Sequence, residues 1–266
     1  WKRELLAFGF IADQRILKAG QRLALAHMKG AIRDPALRAR LTPDYVRGCK
    51  RILLSNDYYP ALARDNVELV TDPISRITER GIATKDGRER ELDATILATG
   101  FEASEHQAPF EVRGAKGALL DEVWRDGGEA YRGTAIAGFP NFFTIVGPNT
   151  GLGHGSMIYL IEAQIEYVLG ALSWMRDRSL WSVDVKADRQ RSYNADIQAR
   201  LAKTVWATGG CTSWYQTHTG KNTTLWPGFM YEFKKQLRRF DAEAYEAAAA
   251  PSPRTRSLDH DAQAPA

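Results

Sequence analysis

The stretch from Phe142 to Leu172 constrains the fold of this chain more than any other. Phe142-Phe143-Thr144-Ile145-Val146 is a compact apolar run rich in aromatic and β-branched residues, and it predicts a buried strand. Gly147-Pro148-Asn149-Thr150-Gly151-Leu152-Gly153 follows, a turn that neither helix nor strand could contain. Beyond it, Met157, Leu160, Ile161, Ile165, Val168, Leu169 and Leu172 keep helical spacing and predict a long helix. A unit of strand, glycine-rich turn and helix aims backbone N–H groups and the positive end of a helix dipole at one place.

The rest of the chain shows similar alternation between element types. Residues 1–45 read as helical, with Asp34-Pro35 as a helix start, Asp34 capping and Pro35 in the first position. Thr42-Pro43 repeats that signal. From residue 46 the texture changes to short strands: Arg51 to Leu54, Val67 to Val70, and a hairpin of Ile82–Lys85 and Arg88–Leu92 joined at Asp86-Gly87. Thr95-Ile96-Leu97-Ala98 is a further apolar strand ending at Thr99-Gly100, of the kind found in a sheet covered on both faces. Residues 184–206 predict another helix, broken at Gly209-Gly210 and followed by an aromatic stretch through Trp214, Tyr215, Trp226, Phe229 and Tyr231. Alanine, proline and charge dominate 242–266, which predicts a disordered tail.

Composition excludes several functions. Of 266 residues, 44% are hydrophobic, enough for a sizeable core in one large domain or two smaller ones. No apolar run approaches the roughly 18–20 residues of a membrane helix, and no secretory pattern opens the chain. The start at Trp1, without an initiator Met, points to a fragment. The two cysteines, Cys49 and Cys211, are far apart and form no CxxC or Cys/His spacing, which argues against zinc and fits a reducing cytoplasm. The net charge of +4 comes from basic residues interleaved with acidic ones, which argues against nucleic acid and suits phosphate-bearing cofactors.

Three groups of residues are candidates for chemistry, each with a plain structural alternative. The turn 147–156 suits the negatively charged pyrimidine edge of a reduced flavin, or is a tight packing turn. Gly151-Leu152-Gly153-His154-Gly155 is not the dinucleotide fingerprint, because its third glycine comes one residue early. Lys50-Arg51, before a predicted strand, offers a compact charge and a fork to phosphate or an oxyanion, or is a solvated face. Trp214 and Tyr215 could stack on a nicotinamide or simply form core. His154 and His218 have no partner pattern for a triad or a metal, and are assigned structural or supporting roles.

Taken in order, these pieces resemble one family. Gly48-Cys49-Lys50-Arg51, Asp57-Tyr58-Tyr59-Pro60, Asp65-Asn66-Val67-Glu68-Leu69-Val70, Leu97-Ala98-Thr99-Gly100-Phe101, Gly138-Phe139-Pro140-Asn141-Phe142-Phe143, Gly147-Pro148-Asn149-Thr150-Gly151 and Cys211-Thr212-Ser213-Trp214-Tyr215 are similar to segments of the Baeyer–Villiger and related flavin-containing monooxygenases. The resemblance runs from 1 to 241 and matches the C-terminal half of such proteins. It implies an α/β fold, part of a Rossmann-like flavoprotein with two dinucleotide-binding domains. Residues 1–46 would be a helical insert, 47–101 the second segment of the NADPH domain, and 102–241 the second segment of the FAD domain. FAD, NADPH and O2 would insert an oxygen atom beside a ketone carbonyl.

The resemblance also implies roles. Arg51 matches the arginine that stabilises the flavin peroxide and the tetrahedral adduct with the ketone, a large electrostatic effect when the guanidinium is fixed. Lys50 matches the lysine at the 2′-phosphate of NADPH, and Trp214 the tryptophan at the nicotinamide half. Thr99 and Gly100 match positions near the cofactors, and Gly147, Pro148, Asn149, Thr150 and Gly151 match the turn under the flavin. The family's GxGxxG fingerprints, its His- and Trp-containing signature and the acidic partner of its arginine are absent here and are expected upstream, in the missing N-terminal half of the same polypeptide. Oxygenation of nitrogen or sulfur is the nearest rival; Lys50-Arg51 favours the ketone, because soft nucleophiles need no arginine for a carbonyl adduct. A disulfide reductase-like flavoprotein would need a redox CxxC. A non-enzymatic remnant or binding module would use the aromatic stretch instead.

Overall fold

Three helices open the chain in the computed structural model, which describes residues 2–101, 104 and 110–250. They are α1 (Lys2–Ile11), α2 (Arg15–Ala31) and α3 (Pro35–Leu41). Asp34 caps α3 as expected: its carboxylate accepts from the Ala36 and Leu37 N–H groups at 2.9 and 3.2 Å. Thr42-Pro43 starts no helix. Thr42 instead closes α3, its hydroxyl donating to the Arg38 carbonyl at 2.8 Å. A short α4 (Tyr58–Leu62) follows, with the Ser55 hydroxyl accepting from the Asp57 and Tyr58 N–H groups.

The predicted hairpin forms. Strands β2 (Gly81–Thr84) and β3 (Glu89–Glu91) pair antiparallel, with Ala83 opposite Glu89. Gly87 supplies the positive φ of +85° that the turn needs, and Thr84 donates its hydroxyl to Asp86 at 2.6 Å. A third strand, β1 (Ile74–Ile77), adds to β2. The sequence did not reveal it, because Ile74-Ser75-Arg76-Ile77 has no alternating pattern and is exposed throughout.

Other expected strands are not strands here. Segments 51–54, 67–70 and 95–98 join no ladder among the described residues, and the 142–146 run contributes one isolated bridge, Phe143 to Ala135. Ile96 is 91% exposed and Leu54 90%. A strand is held by what pairs with it and covers it, and among the described residues nothing does so for these. The α/β class stands, but the described sheets are small and antiparallel, of three and two strands, rather than a parallel sheet covered on both faces.

The second part of the chain holds the core. It contains α5 (Leu120–Val123), α6 (Met157–Asp177), β4 (Leu180–Val185), α7 (Ala187–Leu201), α8 (Val205–Thr208), α9 (Met230–Leu237) and β5 (Tyr245–Ala249). The long helix α6 was legible, but not its inner face. Leu160, Ala163, Gln164, Tyr167 and Ala171 are buried, while Ile165, Leu169 and Leu172 lie outside. Apolar residues occur around most of this helix, so spacing alone could not choose the face.

The disordered-tail expectation fails for 242–249. Ala242–Ala244 is a 3-10 turn, and β5 pairs antiparallel with β4 from Tyr245 opposite Val185 to Ala249 opposite Leu180. Backbone pairing needs no side-chain pattern, so an alanine run hides a strand from composition. Residues 251–266 of that expectation lie outside the described residues.

Just before this strand, Asp241 accepts hydroxyl hydrogens from Tyr131 at 2.6 Å and Tyr167 at 2.5 Å, and pairs with Arg132 at 3.0 Å. Burial, then the hydrogen bond to this carboxylate, pushes the Tyr131 hydroxyl up to about 12. The network ties the 131–132 turn, α6 and the C-terminal strand together. Replacing Asp241 by Ala leaves a largely buried guanidinium unpaired and is expected to cost roughly 3 kcal/mol, read as a lowered urea midpoint. Tyr167→Phe should cost only about 1 kcal/mol.

Candidate functional site

The glycine-rich turn is a packing device first. Asn149, at φ +57°, sends its Nδ2 to the Asn222 and Leu225 carbonyls at 2.9 and 3.1 Å. The Asn149 and Gly151 N–H groups donate to Thr223 and Thr224, both at 2.7 Å, and the Trp226 N–H returns to the Gly151 carbonyl at 2.8 Å. A Cβ on Gly151 would lie 2.7 Å from the Thr224 oxygen, and one on Gly153 2.5 Å from the Trp206 ring. So two N–H groups read from sequence as free for an anion are used internally, and Gly147, Pro148, Asn149 and Thr150 are all buried.

The far end of the turn meets Arg51. Its guanidinium donates to the Leu152 carbonyl at 2.9 Å. The segment carrying Arg51 is pinned twice more: the Val46 N–H donates to Gly209 O at 2.8 Å, and Cys49 forms a disulfide with Cys211. The two cysteines meet across a separation of 162 positions, a pairing that their spacing did not signal. The positive φ of Gly48, +94°, brings the chain against the Phe10 ring, where a Cβ would sit only 2.8 Å away.

Two clefts flank Arg51. One, of about 280 Å³, is walled by Leu6, Phe10, Leu17, Ile52 and Leu54, with Arg47, Arg51 and His154 as its polar edge. The other, of about 170 Å³, shares Arg47 and Arg51 and adds Lys50, Gln21, Tyr45 and Tyr59. Lys50 is exposed, its ammonium 4.9 Å from the centre of the Tyr45 ring. Trp214 is exposed beside Tyr215, with ring centres 5.1 Å apart, three residues beyond Cys211. Thr99 and Gly100 lie in an exposed segment and line neither cleft. Sequence reading brought out neither Arg47 nor the weight of His154. The His154 ring stacks on Phe10 at 5.7 Å and is only 9% exposed, and neither ring nitrogen has a partner among the described residues. No spacing pattern could have signalled that, since Phe10 comes from the other end of the chain. Asn149 Oδ1 and Asn222 Nδ2, buried beside the same turn, are likewise unpartnered.

Arg51, anchored at the edge of an apolar cleft on this α/β frame, is placed to stabilise negative charge developing on a bound molecule. The chain superposes on the structure of OTEMO in complex with FAD and NADP with a TM-score of 0.80, at 27% identity over 91% of this chain and 46% of that one. It is 50% identical over 244 residues to a Baeyer–Villiger monooxygenase of Pseudomonas aeruginosa, covering 91% of this chain and 46% of that protein. It is 45% identical over 247 residues to one of Streptomyces coelicolor, covering 92% and 47%. No family model matches. The chain belongs to the Baeyer–Villiger monooxygenase family and spans about half the length of the curated relatives it matches.

Burial lowers the His154 imidazole from 6.5 to about 4. The unfolded ring takes a proton below pH 6.5 and the folded one only near 4, so this contribution to stability is complete above pH 6.5 and is lost as pH falls toward 4. The loss should reach roughly 3 kcal/mol. His154→Phe is expected to flatten the unfolding free energy across that window; an unchanged acid profile would contradict the assignment.

Proposed function

We propose that this chain is the C-terminal half of an FAD- and NADPH-dependent monooxygenase that inserts one atom of O2 beside a ketone carbonyl, giving an ester. The observation that carries this reading is the Arg51 guanidinium, fixed by the Leu152 carbonyl at the mouth of an apolar cleft. The unpartnered buried atoms of Asn149, His154 and Asn222 are what a hydrogen-bonding ring system at this turn would satisfy. They fit FAD, held along residues 147–154.

Bound FAD supplies the activation of O2 with electrons from NADPH. The rest falls to the chain. Arg51 stabilises negative charge as it develops on the carbonyl oxygen, and being already held, it needs little reorganisation to do so. Lys50 meets the 2′-phosphate of NADPH, Trp214 covers its nicotinamide half, and Thr99 and Gly100 lie along the cofactors. The apolar walls exclude water. Residues 1–46 act as a helical insert, 47–101 as a segment of the NADPH domain and 102–241 as a segment of the FAD domain, completing Rossmann-like sheets. The exposed apolar side chains of Leu53, Leu54, Ile96, Leu97 and Phe101 face the remaining half of the polypeptide.

The test is a visible spectrum of the longer polypeptide containing this chain. Flavin bands that bleach with NADPH and return in air are expected, and a colourless protein would overturn the reading. Arg51→Ala should keep those bands and the bleaching while ester formation falls by about 100-fold or more. The isolated 266-residue chain is expected to bind FAD weakly and to turn over no ketone.

A further inference from the structure

Of the three polar side chains at the edge of the larger cleft, Arg47, Arg51 and His154, only the histidine is buried with no hydrogen-bond partner among the described residues. The walls of the cleft are apolar, and Arg51 at its edge is already anchored by Leu152. His154, two residues further along the turn, is more than nine-tenths buried and leaves both ring nitrogens unpartnered among the described residues. A buried donor without an acceptor is destabilising, and native structures rarely leave one without a reason. Its ring is held flat against Phe10, with centroids 5.7 Å apart and planes inclined by 27°. The orientation of the ring is therefore set before any ligand arrives. Burial keeps the ring neutral at ordinary pH, so it carries one N–H donor and one acceptor nitrogen.

We propose that His154 is a positioning residue that donates a hydrogen bond to a carbonyl oxygen of the molecule seated in the Arg51 cleft. A carbonyl oxygen suits the donor itself: the buried neutral ring offers one N–H and no charge beside apolar walls, while the cations Arg47 and Arg51 stand at the cleft's edge. Two molecules bring such an oxygen: the flavin, through its pyrimidine ring, and the carbonyl substrate. The identity of both rests on the monooxygenase reading above. The hydrogen bond itself rests on the cleft and on the unpartnered ring.

The experiment uses the full-length protein with His154→Leu, which removes the donor at similar bulk, and His154→Gln, which restores an N–H. Two affinities are measured: FAD for the apoprotein, and a non-reacting cyclic ketone for the flavin-loaded protein, read by difference spectrum. One of them should weaken roughly five- to tenfold in His154→Leu and recover most of that in His154→Gln. The affinity that moves identifies the acceptor. Both affinities staying within about twofold of wild type would overturn the proposal. If His154→Leu does not fold, ring nitrogen shifts of 15N-histidine-labelled wild type decide. A change at His154 on adding FAD or the ketone supports the hydrogen bond, and no change with either overturns it. A wild-type protein that takes up no flavin would sink the monooxygenase reading alone, and the 15N-histidine shifts on adding the ketone would still test His154.

Discussion

The seating of turn 147–153 on the 222–226 segment is the constraint on which the candidate site depends. Three backbone hydrogen bonds and the doubly donating Asn149 amide hold the two strips together. Gly151 allows that approach, and Gly153 lets the turn lie against the Trp206 ring, because neither leaves room for a Cβ. Once the turn is fixed, the Leu152 carbonyl is available to Arg51 and the His154 ring lies against Phe10. Loosening this contact would release Arg51 and His154 at once.

The same logic separates rigid from exposed groups. Arg51 belongs to a segment pinned by a side-chain hydrogen bond, a backbone hydrogen bond and a disulfide. On the proposed reading it acts on the reacting carbonyl, where a fixed charge is worth most. Lys50 and Trp214 are more open, consistent with groups that meet a dinucleotide cofactor arriving and leaving. Far from the cleft, Asp241 gathers Tyr131, Tyr167 and Arg132 and closes the second part of the chain around α6.

Local chemistry was legible where a few neighbouring residues decide the outcome. Asp34-Pro35 starts a helix because a carboxylate and a fixed φ suffice. Asp86-Gly87 turns a hairpin because glycine accepts positive φ. The order of short motifs pointed to the family. The strand runs at 51–54, 67–70 and 95–98 were less reliable, since a strand depends on partners that a local pattern does not contain. The β4–β5 pair went unseen for the converse reason, as backbone hydrogen bonds carry it and the side chains of its alanines say nothing.

By itself the sequence determined the opening helices, the glycine-rich turn before the long α6, the body of α7 within the helix read over 184–206, the hairpin and Arg51 as the residue to examine. Tertiary structure alone decided that the turn's N–H groups are spent on Thr223 and Thr224, that Cys49 meets Cys211, and that Phe10, Arg51 and His154 share one cleft. The physical reason is range. Caps and turns are settled within a few residues, whereas a cleft is made by side chains more than a hundred positions apart, whose meeting is fixed by packing and not by spacing.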